Sequence, residues 1–233
     1  MSKHLRVEID KIKRRILFLG ATVQDNFQKS IRAIQNRDEK LARDVINTDL
    51  EIDDLEVEIE EECLKILALH QPVARDLRYI VSVLKVNNDL ERIGDLAVNI
   101  AERATFLSRR EKIETPFDLV SMEEGSRSMV SMSLDALIEM DIGLANDVCE
   151  ADEKVDDLHR EAFTRVQEAI VRHPDQIESL IAFLSVSRYL ERVADHATNI
   201  AEDVIYMLEG EIIRHRGCAY VPETDNPISG DGG

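Results

Sequence analysis

Glu91-Arg92-Ile93-Gly94-Asp95-Leu96-Ala97-Val98-Asn99-Ile100-Ala101-Glu102 returns one hundred residues later as Glu191-Arg192-Val193-Ala194-Asp195-His196-Ala197-Thr198-Asn199-Ile200-Ala201-Glu202, with eight of the twelve positions identical. Both copies read as helix. At roughly 100° per residue, Glu91, Asp95, Val98 and Glu102 fall in one narrow stripe, and Ile80, Leu84 and Asn87 lie on or near it further back. Carboxylates on a core-facing stripe are costly unless something neutralises them. Here the cost is incurred twice.

The chain around these stretches is helical throughout. Leu5, Ile9, Ile12, Ile16, Leu19, Val23, Phe27, Ile31 and Ile34 recur every three or four residues, which predicts one long amphipathic helix over 3–35. Asn36-Arg37-Asp38 breaks the pattern, and Asp38 reads as the N-cap of a second helix reaching about Leu69, with Leu41, Val45, Ile52, Leu55, Ile59 and Ile66 inward. His70-Gln71-Pro72 is a turn, and Pro72 suits the first turn of a third helix that ends near Ser108. Residues 111–116 read as a linker. A fourth helix starts at about 117, Asp141 and Gly143 mark a turn, a fifth helix reaches about His173, and Pro174 opens a sixth that stops at Gly210. The residues from Arg214 on are polar and rich in Gly and Pro, and are expected to form a mobile tail.

The two halves repeat each other. Asp38–Val45 aligns with Asp141–Val148 at an offset of 103, as do Asp49 with Asp152, Asp53-Asp54-Leu55 with Asp156-Asp157-Leu158, and His70 with His173. After a three-residue deletion at the second turn the offset becomes 100. The reading is all-α: six long helices in two tandem, sequence-repeated three-helix bundles, over 1–112 and 113–213, followed by the tail 214–233.

Asp49 and Asp53 are four residues apart, as are Asp152 and Asp156, so each pair shares a helix face. Folding the second helix back on the third sets Asp49/Asp53 within about 3 Å of the level of Glu91/Asp95, and in the other half Asp152/Asp156 meet the level of Glu191/Asp195. Four clustered carboxylates cannot all stay ionised unaided: they protonate, pair with Arg92, Arg75 or Arg78, or bind cations. All-oxygen ligands suit Mg, Mn or Ca, and carboxylates on helices also hold Fe or Zn. Asn99, Glu102, Asn199 and Glu202 continue the surface as candidate outer ligands.

Catalytic signatures are missing. No Glu has a His three residues later, so the paired di-iron motif of helical oxidases is not present, and Asp156-x-x-His159 is the nearest approach. HExxH, GxSxG and the phosphate-cradling GxxxxGK[ST] do not occur. His196 has Leu96 in its place in the first copy and reads as a helix-surface or supporting residue, while His70 and His173 suit capping at helix C-termini. With 47 acidic against 29 basic residues, the net charge of −18 repels phosphate backbones and disfavours nucleic acid. Cys63, Cys149 and Cys218 are scattered, as in a reducing compartment, and Cys63 and Cys149 read as core residues. No apolar run is long enough to span a bilayer, and the basic N-terminus does not lead into a signal peptide.

With these motifs in hand, the chain up to about Gly210 closely resembles the PhoU family of phosphate-signalling proteins. The resemblance rests on the tandem bundles, the two Glu-x-x-x-Asp motifs at Glu91/Asp95 and Glu191/Asp195, the preceding Pro72-Val73-Ala74-Arg75-Asp76-Leu77-Arg78, and the following Asn99-Ile100-Ala101-Glu102 and Asn199-Ile200-Ala201-Glu202. It implies a cytoplasmic regulator rather than an enzyme, one that represses the phosphate-starvation response. Such a regulator links the phosphate ABC transporter, through its ATPase, to a membrane sensor histidine kinase. It further implies a homodimer, reaching the membrane only through partners. It also implies multinuclear metal clusters of Fe, Zn, Mn or Mg, one on Asp49, Asp53, Glu91 and Asp95 and one on Asp152, Asp156, Glu191 and Asp195. Leu96 departs from the His found in many relatives. A carboxylate-bridged metalloenzyme and a metal-free helical scaffold are the alternatives to this reading.

Overall fold

The computed structural model describes residues 3–210. They form α1 (Lys3–Asn36), α2 (Glu39–His70), α3 (Ala74–Ser108), α4 (Leu119–Glu139), α5 (Ile142–Arg172) and α6 (Ile177–Glu209), with a 3₁₀ turn, Pro174–Gln176, leading into α6. The expected tail 214–233 lies outside the described residues.

Local chemistry explains the boundaries. Asp38 caps α2 by accepting from Leu41 N at 3.0 Å, and its repeat Asp141 caps α5 by accepting from Gly143 N at 2.7 Å and Leu144 N at 3.2 Å. Asp118 caps α4 in the same way through Ser121 N. Gly210 closes α6 in the left-handed conformation, φ 80°, its N–H donating to Tyr206 O at 2.9 Å. Pro72 is not in the first turn of α3 as expected. Val73 is extended and precedes the helix, leaving Pro72 buried in the connection after a left-handed Gln71. The Arg37 guanidinium donates to the carbonyls of Leu107 and Arg110, satisfying the C-terminal end of α3.

In each half, three helices pack side by side. Ile12, Ile16, Leu19, Val23 and Phe27 of α1, Ile52 and Ile59 of α2, and Ile93 and Ile100 of α3 are fully enclosed. Met122 and Met129 of α4, Val155 of α5, and Val193 and Ile200 of α6 occupy the second half in the same manner. Cys63 and Cys149 are buried, as expected of core residues, and burial pushes the Cys63 thiol up to about 12. The two sets of core residues join in one continuous apolar cluster, because α3 lies antiparallel against α6 and α1 touches α4.

Three polar contacts among the described residues fasten the α3–α6 seam. Lys85 Nζ reaches Asp203 Oδ1 at 2.9 Å, and Asp89 Oδ1 meets His196 Nδ1 at 2.8 Å and accepts from Asn199 Nδ2 at 3.2 Å. No helix among the described residues is long and apolar enough to cross a membrane.

Candidate metal centres

The second carboxylate cluster sits in the groove between α5 and α6. Val155 on α5 and Val193, Ala194 and Ala197 on α6 are buried beneath it, which fixes how closely the two helices approach. Asp152, Asp156 and Asp195 each bring an oxygen within 4.8 Å of the others, the spacing at which three carboxylates share one cation. Burial pushes Asp152 up to about 6, with repulsion from Asp195 and Asp156 adding to it and the nearby Thr198 hydroxyl opposing it. Burial likewise pushes Asp195 up to about 6, reinforced by Glu191 and Asp156 and opposed by His196 and Arg192. Glu191 is raised by burial and then by Asp156, with Arg188 opposing. Three of the four carboxylates predicted to meet in this half, Asp152, Asp156 and Asp195, converge, and Glu191 lies within electrostatic reach of them.

The first cluster occupies the matching groove between α2 and α3. Burial pushes Asp49 up to about 6, with Asp53 and Asp95 adding repulsion. Glu91 is raised by burial and then by Asp95, with Arg92 opposing and Asp53 and Glu56 adding to the rise. Gly94 lets the helices close here, since a Cβ at that position would stand 3.2 Å from Ile52 Cγ2 and 3.4 Å from Asp49 Oδ1.

The two clusters are not equivalent. Arg92 Nη1 donates to Asp95 Oδ2 at 3.1 Å, and its Nε lies 3.4 Å from Glu91 Oε2, so one arginine partly neutralises the first site. In the second half Arg188 and Arg192 act on Glu191 only at longer range, and neither forms an ion pair within 4 Å among the described residues. The buried oxygens Asp49 Oδ1 and Asp152 Oδ1 accept no hydrogen bond among the described residues. Buried carboxylate oxygens with no donor are the groups a hard cation satisfies, so the residues present fit a metal, and the second cluster fits it best.

A family model described as PhoU domain matches residues 16–104 and matches again over 119–204. The chain belongs to the PhoU family. Among its relatives, the phosphate-specific transport system accessory protein PhoU homolog of Pseudomonas aeruginosa is 36% identical, over 96% of this chain and 93% of that protein. The phosphate-specific transport system accessory protein PhoU of Escherichia coli is 32% identical, over 93% of this chain and 92% of that one. The crystal structure of PhoU from Pseudomonas aeruginosa superposes with a TM-score of 0.85 at 35% identity, covering 88% of this chain and 99% of that chain. The phosphate transport system regulatory protein PhoU from Streptococcus pneumoniae gives 0.80 at 30% identity, covering 89% and 98%.

Of the expected outer ligands of this PhoU chain, Asn199 and Glu202 face the α3–α6 seam. Asn99 Nδ2 donates to Asp95 O of its own helix at 2.9 Å, and Glu102 is half exposed beside Arg103. Asn199 is drawn to Asp89 across the seam, and Glu202 lines a cleft of about 660 Å³ there with Lys85 and Asn88. At seven residues from the Glu-x-x-x-Asp aspartates, the glutamates stand two helical turns too far along. His196 also turns to the seam rather than to the surface, with its side chain 16% exposed.

Sequence reasoning gave His159 little weight. In this PhoU chain its Nδ1 lies 2.5 Å from Ser187 Oγ, and burial lowers its pKa. With Arg188, Glu191 and Asp195 it lines a cleft of about 640 Å³ beside the second cluster. The available signal was register: in the first half Asn87 Nδ2 donates to Glu56 O at 2.9 Å, and Glu56 and Asn87 are the repeat partners of His159 and Ser187.

Proposed function

We propose that this chain is a regulatory accessory protein of phosphate uptake. It represses the starvation response by contacting the ATPase of a phosphate ABC transporter and a sensor histidine kinase in the cytoplasm. The reading is supported by membership of a family whose relatives, matched over nine-tenths of this chain, are named accessory proteins of the phosphate-specific transport system. The observation that carries the mechanism is the convergence of Asp152, Asp156 and Asp195 in one groove.

In this reading Asp152, Asp156, Glu191 and Asp195 hold metal, and Asp49, Asp53, Glu91 and Asp95 hold a second, weaker site restrained by Arg92. A bound cation supplies charge neutralisation and a link between neighbouring helices, not a reaction step. The protein's own residues then set the shape that partners meet: α5 is held to α6, and α2 to α3, at the level of the carboxylates. The chain acts by binding, as a homodimer.

Elemental mass spectrometry on protein purified without chelator tests the metal. Wild type is expected to carry it, and Asp152→Asn with Asp195→Asn is expected to lose the tighter fraction. Co-purification with the transporter ATPase and the kinase, from metal-free and metal-loaded protein, tests the rest. Equal capture of both partners would sever metal from signalling, and capture of neither would sink the regulatory reading.

A further inference from the structure

We propose that the outer face of α2 is a docking surface for a basic amphipathic helix of a partner protein. Ile46, Leu50, Val57 and Leu64 are 36%, 70%, 51% and 52% exposed. Their spacing of four, seven and seven residues sets them in one band about 40° wide and roughly 27 Å long. The band faces away from Val45, Ile52, Ile59, Cys63 and Ile66, through which α2 packs on the core. Single exposed apolar side chains are ordinary, whereas a continuous line of four on one helix marks an interaction surface.

The pattern specifies the occupant. Leu50, Val57 and Leu64 take one seam position of a heptad, and Ile46, Asp53 and Glu60 take the other, as along one strand of a two-helix coiled coil. Asp54 and Glu61 border the far side of the band, and all four of these acids are exposed. The neighbouring cations are engaged, Arg43 with Glu39 and Lys65 with Glu61. A second copy of α2 would set Asp53 and Glu60 against their own kind if parallel, or against Leu and Val if antiparallel, and both arrangements bury unpaired charge. A helix with apolar residues opposite Leu50, Val57 and Leu64, and Lys or Arg opposite Asp53 and Glu60, satisfies the whole face.

The bundle itself does not need this stripe. At the repeat offset α5 carries Glu153, Arg160 and Gln167 in place of Leu50, Val57 and Leu64, yet it folds the same way and carries carboxylates of its own at the matching level. The surface therefore belongs to the first half alone. It requires a helix face and no ion, and because Asp53 belongs also to the first carboxylate cluster, binding is measured in chelator to separate it from metal.

The test titrates full-length protein, in chelator, with a labelled three-heptad peptide carrying Leu at one seam position and Lys at the other, read by fluorescence anisotropy. Wild type is expected to bind. The triple variant Leu50→Ser, Val57→Ser, Leu64→Ser, with folding checked by circular dichroism, is expected to bind at least about tenfold more weakly. The α5 variant Phe163→Ser, Val171→Ser is expected to match wild type, and a peptide with Glu for Lys is expected not to bind. No binding by wild type, or equal binding by the triple variant, overturns the proposal. So does a fall in sedimenting mass of the triple variant alone, which assigns the face to a second copy, and so does loss of binding to phosphatidylcholine vesicles, which assigns it to lipid.

Discussion

Asp49, Asp152 and Asp195 stand at about 6, far above the ordinary aspartate value, because each is drawn from water next to other acids. In metal-free protein the folded state therefore holds protons that the unfolded chain has already released between about pH 4 and pH 6. Stability should fall as pH rises through that window and recover on acidification toward pH 5. His159 opposes this, since its lowered pKa favours the neutral form, but it is one group against the three aspartates and the likewise raised Glu91 and Glu191. Glu39 and Asp118 are lowered by Arg109 and Ser121 and lose their contribution only in stronger acid. Thermal melts in chelator at pH 5, 6 and 7 should show the highest midpoint at the lower end, with a flatter profile in Asp152→Asn/Asp195→Asn. A midpoint that climbs steadily toward pH 7 in wild type would contradict the acidic-groove reading. The meeting of these carboxylates was legible, because four-residue spacing and hairpin register are properties of sequence. Their inequality was not: whether Arg92 or Arg192 reaches across depends on side-chain rotamers that both copies allow.

At the level of the helix, caps and stops carried most of the prediction. Asp38 was readable as a cap because an acid before an amphipathic run satisfies free N–H groups, Asp141 was readable as a turn and caps α5 as its repeat does α2, and Gly210 was readable because left-handed backbone suits glycine. Gly210→Ala should destabilise the protein by roughly 1–2 kcal/mol, since a side chain there is strained at φ 80° and its Cβ would stand 3.3 Å from Arg78 Cζ. Chemical denaturation should show the loss without a change in helix content, and an unchanged midpoint would argue that α6 simply frays at its end. Pro72 misled because proline is welcome both in a first helical turn and in the connection before it. The buried connection won, with Val73 extended ahead of the helix. The apolar line on α2 lies opposite the residues that declare the core, so a search for inward positions passes over it.

The seam between the halves governs the whole molecule, and the repeat conceals it. Lys85, Asp89, His196 and Asp203 form it, yet their repeat partners are Ser185, Tyr189, Leu96 and Arg103. What the copies share does not point to these residues, because here the two halves meet through unlike groups. Asp203 is almost wholly enclosed, its side chain 2% exposed, and Lys85 comes to it from the other half. Lys85→Met should therefore cost about 1–3 kcal/mol, measured by urea unfolding, even though lysine and methionine have similar reach. If the loss is negligible, Lys85 adds nothing to Asp203 that its other surroundings do not supply. The antiparallel seam has a consequence for how the chain could be divided. Residues 109–118 tether two pieces whose complementary faces already carry the instructions for docking. Severed at that tether, each piece would expose a sticky flank that only the other fits, so halves made apart should find one another and rebuild the molecule without the join.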